Sequence, residues 1–256
     1  MAKLVINCFI FAAKLIYMSN TLVIIPTFNE KENVEAIIRA VFKQDKQFDI
    51  LIVDDNSPDG TGTIVKNLQQ EFQQLFLEVR TEKQGLGTAY IHGFKWALDR
   101  EYDYIIEMDA DFSHNPEDLI RLYNACANEG ADFSIGSRYL NNKINVVNWD
   151  IKRLFLSYFA SKYVKIITQI PIYDTTAGFV CYKRKVLETL ELDKIKFVGY
   201  AFQIEMKFKA WKRKFKHKEV SVIFTDRKRG TSKMSGSIIS EAVFGVIKMR
   251  ITGISK

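Results

Sequence analysis

Four short apolar runs in the first half of the chain each stop at a cluster of polar, turn-forming residues. Leu22-Val23-Ile24-Ile25 stops at Pro26, and Ile50-Leu51-Ile52-Val53 stops at Asp54-Asp55. A short run around Leu77-Glu78-Val79 precedes Lys83-Gln84-Gly85, and Tyr104-Ile105-Ile106-Glu107-Met108 stops at Asp109. The segments between them carry helical periodicity, as in Glu32 to Phe42, where Val34, Ile37, Ile38 and Val41 share one face. Thr88 to Leu98 reads as a further helix. Strands that alternate with amphipathic helices build a parallel sheet with right-handed crossovers. The C-termini of parallel strands lie along one edge, so the four polar clusters converge on one crevice. The expected fold class is α/β, with a mostly parallel central sheet flanked by helices.

The second half is less regular. A helix is expected from Pro116 to Asn128, a strand at Phe133 to Gly136, and an Asn-rich loop from Tyr139 to Asn148. A helix from Ile151 to Ile167, a strand at Val220 to Phe224 and an amphipathic helix from Ser237 to Ile251 follow. No repeat and no long linker interrupts residues 18–256, so they read as one domain. Residues 1–17 read as an N-terminal extension. Its apolar stretch is broken by Asn7 and Lys14, too short to span a bilayer and without a small-residue cleavage site. A translation start at Met18 is expected, the competing reading being a short membrane-surface anchor.

The three cysteines, Cys8, Cys126 and Cys181, have neither disulfide-framework nor metal spacing. They suit a reducing, cytosolic setting. The formal net charge is +7 and concentrated late: from Glu205 onward Lys and Arg outnumber Asp and Glu by about 10. Such a basic end suits nucleic acid, a phosphorylated ligand or an anionic membrane; the run Lys207 to Lys218 reads equally as a solvated basic helix face. Nucleic acid drops out as an expected partner only with the family resemblance carried by the motifs, not from charge.

Asp109-Ala110-Asp111 places two carboxylates at the end of the fourth strand. Hard oxygen ligands of this kind suit Mg²⁺ or Mn²⁺ held together with substrate phosphates. The plainer reading is a strand ending in a solvated turn. A dinucleotide fold would carry Gly-x-Gly-x-x-Gly after its first strand. Pro26-Thr27-Phe28-Asn29-Glu30 stands there instead, and the Gly-Lys-Ser/Thr phosphate loop is also missing.

From Met18 to about Ile251 the chain resembles the inverting GT-A glycosyltransferases of family 2, and among them the polyprenyl-phosphate (dolichyl-phosphate) mannose synthases. The matching stretches are Pro26 to Glu30, Asp54 to Thr61, Lys83 to Tyr90, Asp109 to His114, Gly136 to Tyr139, Asp174 to Phe179, Gly199 to Glu205, Asp226-Arg227 and Gly230 to Ser235. The resemblance implies a Rossmann-like nucleotide-sugar-binding fold. It implies that Pro26, Phe28, Glu30, Val53 and Asp55 surround base and ribose. Phe28 stands where relatives often carry Tyr. Asp109 and Asp111 would hold Mg²⁺ or Mn²⁺ on the donor diphosphate, with Ala110 beside the nucleotide. Arg138, Arg227 and Lys233 would contact phosphates, and Asp109, Asp111 and Arg138 would carry catalysis.

The activity so implied is transfer of mannose from GDP-mannose to a polyprenyl phosphate with inversion. The acceptor is already an anion and needs no strong general base. None of His92, His114 and His217 is expected to act in catalysis; His114 suits a turn cap. The alternatives are a relative using a UDP-sugar, or a nucleotide-binding module without activity. The resemblance further implies peripheral residence on the cytosolic face of a membrane, directly or through a membrane partner protein.

Overall fold

The structure, a computed structural model, describes residues 19–140, 143–199, 201–226 and 245–251. The N-terminal extension, Arg227, Lys233 and residues 237–244 of the expected amphipathic helix lie outside the described residues.

A seven-stranded sheet runs through the domain in the order β3-β2-β1-β4-β7-β5-β8. Its strands are β1 (Thr21–Thr27), β2 (Asp49–Asp54), β3 (Leu75–Val79), β4 (Tyr104–Glu107), β5 (Phe133–Ser137), β7 (Val180–Lys183) and β8 (His217–Ser221). Strands β3, β2, β1 and β4 are mutually parallel, with Ile24 paired to Leu51 on one side and Glu107 on the other. Their helices are α1 (Val34–Phe42), α2 (Thr61–Leu68), α3 (Leu86–Leu98) and α4 (Asp118–Ala127). The crossover direction reverses between β1 and β4, which places the ligand crevice outside their carboxyl ends.

Successive strand residues face opposite sides of a sheet, and the apolar core divides accordingly. Leu22, Ile24, Leu51 and Ile105 pack with Tyr90 and Phe94 of α3 and with Phe202 and Phe208. Val23, Ile25, Ile50 and Ile106 pack with Ile37, Ile38 and Val41 of α1 and with Leu119 and Leu122 of α4. Helix α3 approaches β1 closely at Gly93, where an added Cβ would stand 2.7 Å from Ile24 Cγ2.

The second half departs from expectation in three places. Strand β7, which the sequence reading missed, enters antiparallel between β4 and β5. The run at Val220–Phe224 is not one strand. Val222 N donates to Ser137 O, whereas Phe224 N donates to Asn145 O, so the chain changes partner and ends in a second ribbon. There β9 (Phe224–Thr225) pairs with β6 (Val146–Val147) from the Asn-rich loop. The basic run is only partly a solvated face. Lys207, in α7 (Ala201–Lys212), is fully buried and donates to the carbonyls of Thr175, Ala177 and Gln203.

Helix α5 (Ile151–Thr168) follows β6 close to its expected bounds, capped by Asp150, whose carboxylate accepts from Lys152 N. A short α6 (Arg184–Thr189) follows β7. Residues 245–251 are helical, burying Val246 and Met249. Among the described residues no helix is long and apolar enough to cross a membrane.

Candidate active site

Met108 extends the β1–β4 ladder by donating to Ile24 O at 3.1 Å, and the chain then turns. Asp111 closes the turn by accepting Ser113 N at 3.0 Å, with Phe112 in the left-handed region at φ 61°. His114 folds back beneath it. Its Nδ1 accepts Asp109 N at 3.0 Å, leaving the ring proton on Nε2, 3.9 Å from Asp109 Oδ2. Burial pushes this imidazole down to about 4, so near neutral pH it is an uncharged prop, stacked on Phe179 at 4.7 Å. The turn-capping role expected of His114 is therefore realised through the Asp109 backbone.

The Asp109 side chain stays 36 % exposed, while Asp111 is buried in the turn and both line the same cavity. Among the described residues no group of three or more His, Cys, Asp or Glu is placed to hold an ion. Two hard carboxylates fit Mg²⁺ or Mn²⁺, ions that proteins commonly hold by one or two carboxylates together with substrate phosphates. The donor set does not suit zinc, whose protein sites supply three or four ligands.

On one side lie the loops after β1, β2 and β3. Asp54 organises them: Oδ1 accepts from Thr27 Oγ1 at 2.8 Å and Ser57 Oγ at 2.6 Å, and Oδ2 accepts Ser57 N at 2.9 Å. The loop after β1 is stitched on by Asn29 N donating to Ser57 Oγ, Glu30 N to Thr61 Oγ1 and Lys31 N to Asp59 Oδ2. Asp55 accepts from Arg80 Nε at 2.6 Å, and both side chains are over nine-tenths buried. Arg80 also donates to Thr88 Oγ1 at 2.7 Å. Asp55 is thus held by a cation that the sequence reading did not single out. Phe28 is half-buried, with Lys83 Nζ 4.6 Å above its ring. Pro26 and Glu30 sit at the same strand end, and Val53, the register partner of Pro26 on β2, is fully buried.

On the other side is a cavity of about 410 Å³, lined by Asp109, Asp111, Arg138, Arg153, Gln203 and Leu156 among others. Arg138 leaves the end of β5 and meets Asp174 fork to fork, Nε to Oδ2 at 2.7 Å and Nη2 to Oδ1 at 2.6 Å. Burial alone would raise the Asp174 carboxyl; the Arg138 charge outweighs it and holds the group below its ordinary range. Arg138 Nη2 also donates to Thr176 Oγ1 at 2.8 Å, and its guanidinium lies 5.5 Å from the rings of Trp149 and Phe224. The expected phosphate contact is therefore a cation already fixed in the cavity wall, with its Nη1 donors unengaged among the described residues.

Arg153 and Trp149 line this cavity and were not singled out from sequence, while Thr176 and Gln203, also in its wall, lay in matching stretches with no role assigned. Arg153 carries a signal in retrospect. It stands in the first turn of α5, where a cation opposes the helix dipole, so its presence there asks for a reason. It donates to Asp226 Oδ1 at 2.6 Å and lies 4.4 Å from the Trp149 ring centroid.

The outer lip of the cavity is apolar. Leu156 and Phe159 of α5 line it while remaining exposed. Ile151 (67 %), Phe155 (54 %), Phe159 (60 %) and Ile166 (73 %) are open to solvent. At 100° per residue they share about 80° of arc on one helix face. The helix carries Lys152, Arg153, Lys162 and Lys165 and no acid.

Residues 22–191 match the model of glycosyl transferase family 2. The polyprenol monophosphomannose synthase of Mycolicibacterium smegmatis is 46% identical over 234 residues, covering 91% of this chain and 88% of that protein. The undecaprenyl-phosphate mannosyltransferase of Micrococcus luteus is 41% identical over 227 residues, covering 89% and 92%. Among solved structures, glucosyl-3-phosphoglycerate synthase of Mycobacterium tuberculosis superposes with a TM-score of 0.64 at 16% identity, covering 92% of this chain and 81% of that one. A mannosyltransferase of Pyrobaculum calidifontis, solved with GDP-Man and Mn²⁺, gives 0.57 at 18% identity over 84% of this chain and 59% of that one. These two structural likenesses concern the fold.

Proposed function

The chain belongs to glycosyl transferase family 2, and on that premise we propose that it transfers mannose from GDP-mannose to a polyprenyl phosphate at a membrane surface, with inversion at the anomeric carbon. One observation carries the reading: a single cavity joins the Asp109/Asp111 turn and two arginines at its inner wall to an exposed apolar helix face at its lip. A nucleotide sugar needs the first and a lipid-linked phosphate needs both. The names of the two curated relatives support mannose and the lipid phosphate.

In this proposal the loops after β1 and β2 hold the nucleoside, with Phe28 against the base and the Arg80-fixed Asp55 toward base or ribose. Asp109 and Asp111 would hold Mg²⁺ or Mn²⁺, which when bound would neutralise charge on the diphosphate. Arg138 and Arg153 bring a second anion, the acceptor phosphate, to a site already rich in negative charge. An oxygen of that phosphate attacks the anomeric carbon and the new C–O bond forms. The bond to the diphosphate breaks on the opposite face, and its electron pair leaves with the nucleoside diphosphate. An α-linked donor then gives a β-linked product. His114, neutral and buried, orients the turn and moves no proton. The apolar face of α5 rests on the bilayer.

Parallel incubations of purified protein with undecaprenyl phosphate, Mn²⁺ or Mg²⁺, and either GDP-mannose or UDP-glucose test the reading. Mannolipid from GDP-mannose, abolished by EDTA, is the expected result. Glycolipid from UDP-glucose alone overturns the donor, and nucleotide binding without any glycolipid overturns the activity.

A further inference from the structure

A second cavity, of about 180 Å³, opens on the other flank of α5. It is lined by Tyr139, Lys143, Ile144, Tyr158, Lys162 and Tyr173. Lys162 Nζ lies 5.3 Å from the Tyr158 ring centroid, and Lys165 Nζ lies 4.0 Å from that of Tyr173. None of Lys143, Lys162 and Lys165 is ion-paired among the described residues. The Tyr139 hydroxyl is buried, with the Ser157 hydroxyl of the catalytic cavity as its polar neighbour, so the ring and not the hydroxyl meets the hollow. The carboxylate that reaches this wall, Glu219, accepts the backbone N–H of Tyr173 and Asp174. The hollow therefore sets ammonium groups among aromatic rings, a constellation for an anion with several acceptor oxygens.

Its place on α5 identifies the anion's carrier. By helical geometry Tyr158 and Lys165 flank one side of the exposed stripe of Ile151, Phe155, Phe159 and Ile166. Leu156 and Tyr163, which line the catalytic cavity, flank the other. Ile144 and Tyr173 continue the exposed apolar surface around the small hollow. A free anion would have no use for that surround; a phospholipid would, because its acyl chains meet the stripe while its headgroup enters the hollow.

We propose that this second cavity seats the phosphate-ester headgroup of an anionic phospholipid. With the stripe on the bilayer and a headgroup fixed on one flank, the catalytic cavity on the other flank opens at the depth of a lipid-borne phosphate. The inference rests on the lipid-acceptor reading but uses residues outside the catalytic cavity.

The test is sedimentation of the full chain with vesicles of phosphatidylcholine, with or without phosphatidylglycerol. Wild type is expected to prefer the phosphatidylglycerol vesicles. Lys143→Ala with Lys162→Ala weakens that binding about 25-fold, about fivefold per lysine. Lys43→Ala with Lys66→Ala, exposed lysines at the end of α1 and in α2, removes the same charge and is expected to change that binding less than about twofold, with folding checked by circular dichroism. Turnover of a short-chain acceptor in detergent is unchanged in the Lys143/Lys162 variant. An equal loss in the Lys43/Lys66 pair would overturn the proposal in favour of diffuse charge. Inorganic phosphate that raises the melting temperature of wild type but not of the Lys143/Lys162 variant, with no phosphatidylglycerol preference, would also overturn it in favour of a free anion. Failure of the activity itself reads out separately, as absence of glycolipid.

Discussion

Two carboxylates one residue apart do different work. Asp109 reaches into the cavity, and its backbone N–H is held by a buried neutral histidine; Asp111 shares one oxygen with the turn that it closes. Asp111→Ala is expected to lower turnover by about 100-fold or more, since even indirect supports of a metal cost 10–100-fold. An unchanged circular dichroism spectrum separates that loss from unfolding. Arg80 is expected to act through Asp55. Arg80→Met leaves a buried carboxylate without its cation and should cost about 3–5 kcal/mol, read as a lower urea midpoint; a midpoint equal to wild type would show that the pair is dispensable. The Asp109/Asp111 pair was legible because strand-end acids follow an apolar run. Arg80 was not, because it stands one residue beyond a short strand and only the fold brings it to Asp55.

Strand order decides where these residues meet. The first four strands were legible from apolar runs of strand length, and the observed bounds differ by a residue or two. Strand β7 was not, because Val180-Cys181-Tyr182 is too brief to set a period and its neighbours are antiparallel. Lys207 was hidden by composition: within a basic run it reads as solvated, yet three carbonyls hold it under the Asp174–Ala177 loop. Where α3 crosses β1, Gly93→Ala should cost about 1–3 kcal/mol by overpacking against Ile24, measured by chemical denaturation. The start of β2 carries a pH dependence. Burial pushes the Asp49 carboxyl up to about 6, against the Tyr102 hydroxyl that donates to it at 2.7 Å. A raised carboxyl binds its proton more tightly folded than unfolded, so this contribution is full below about pH 4 and fades as pH rises to about 6. Urea midpoints of wild type minus Asp49→Asn should fall across that window; a flat difference would contradict it.

At the scale of the molecule, the proposed membrane orientation rests on one helix. Helix α5 carries an exposed apolar stripe, four cations and no acid, with a cavity on each flank. Its extent was legible from sequence; its exposure was not, because periodicity shows that a helix has an apolar face and not whether that face is covered. Phe155→Ser with Ile166→Ser removes roughly 1 kcal/mol of membrane contact per side chain and should weaken vesicle binding about tenfold or more. Vesicle binding unchanged in this variant would place the membrane contact elsewhere. In the proposed reaction the Asp109/Asp111 turn, the paired arginines and the apolar lip serve one step: the lipid phosphate itself attacks the sugar. The anomeric configuration of the glycolipid formed from GDP-mannose, read by NMR from the one-bond carbon–hydrogen coupling at the anomeric centre, tests this most directly. A β-mannosyl phosphate is the result expected of single in-line displacement; an α-mannosyl phosphate would contradict it.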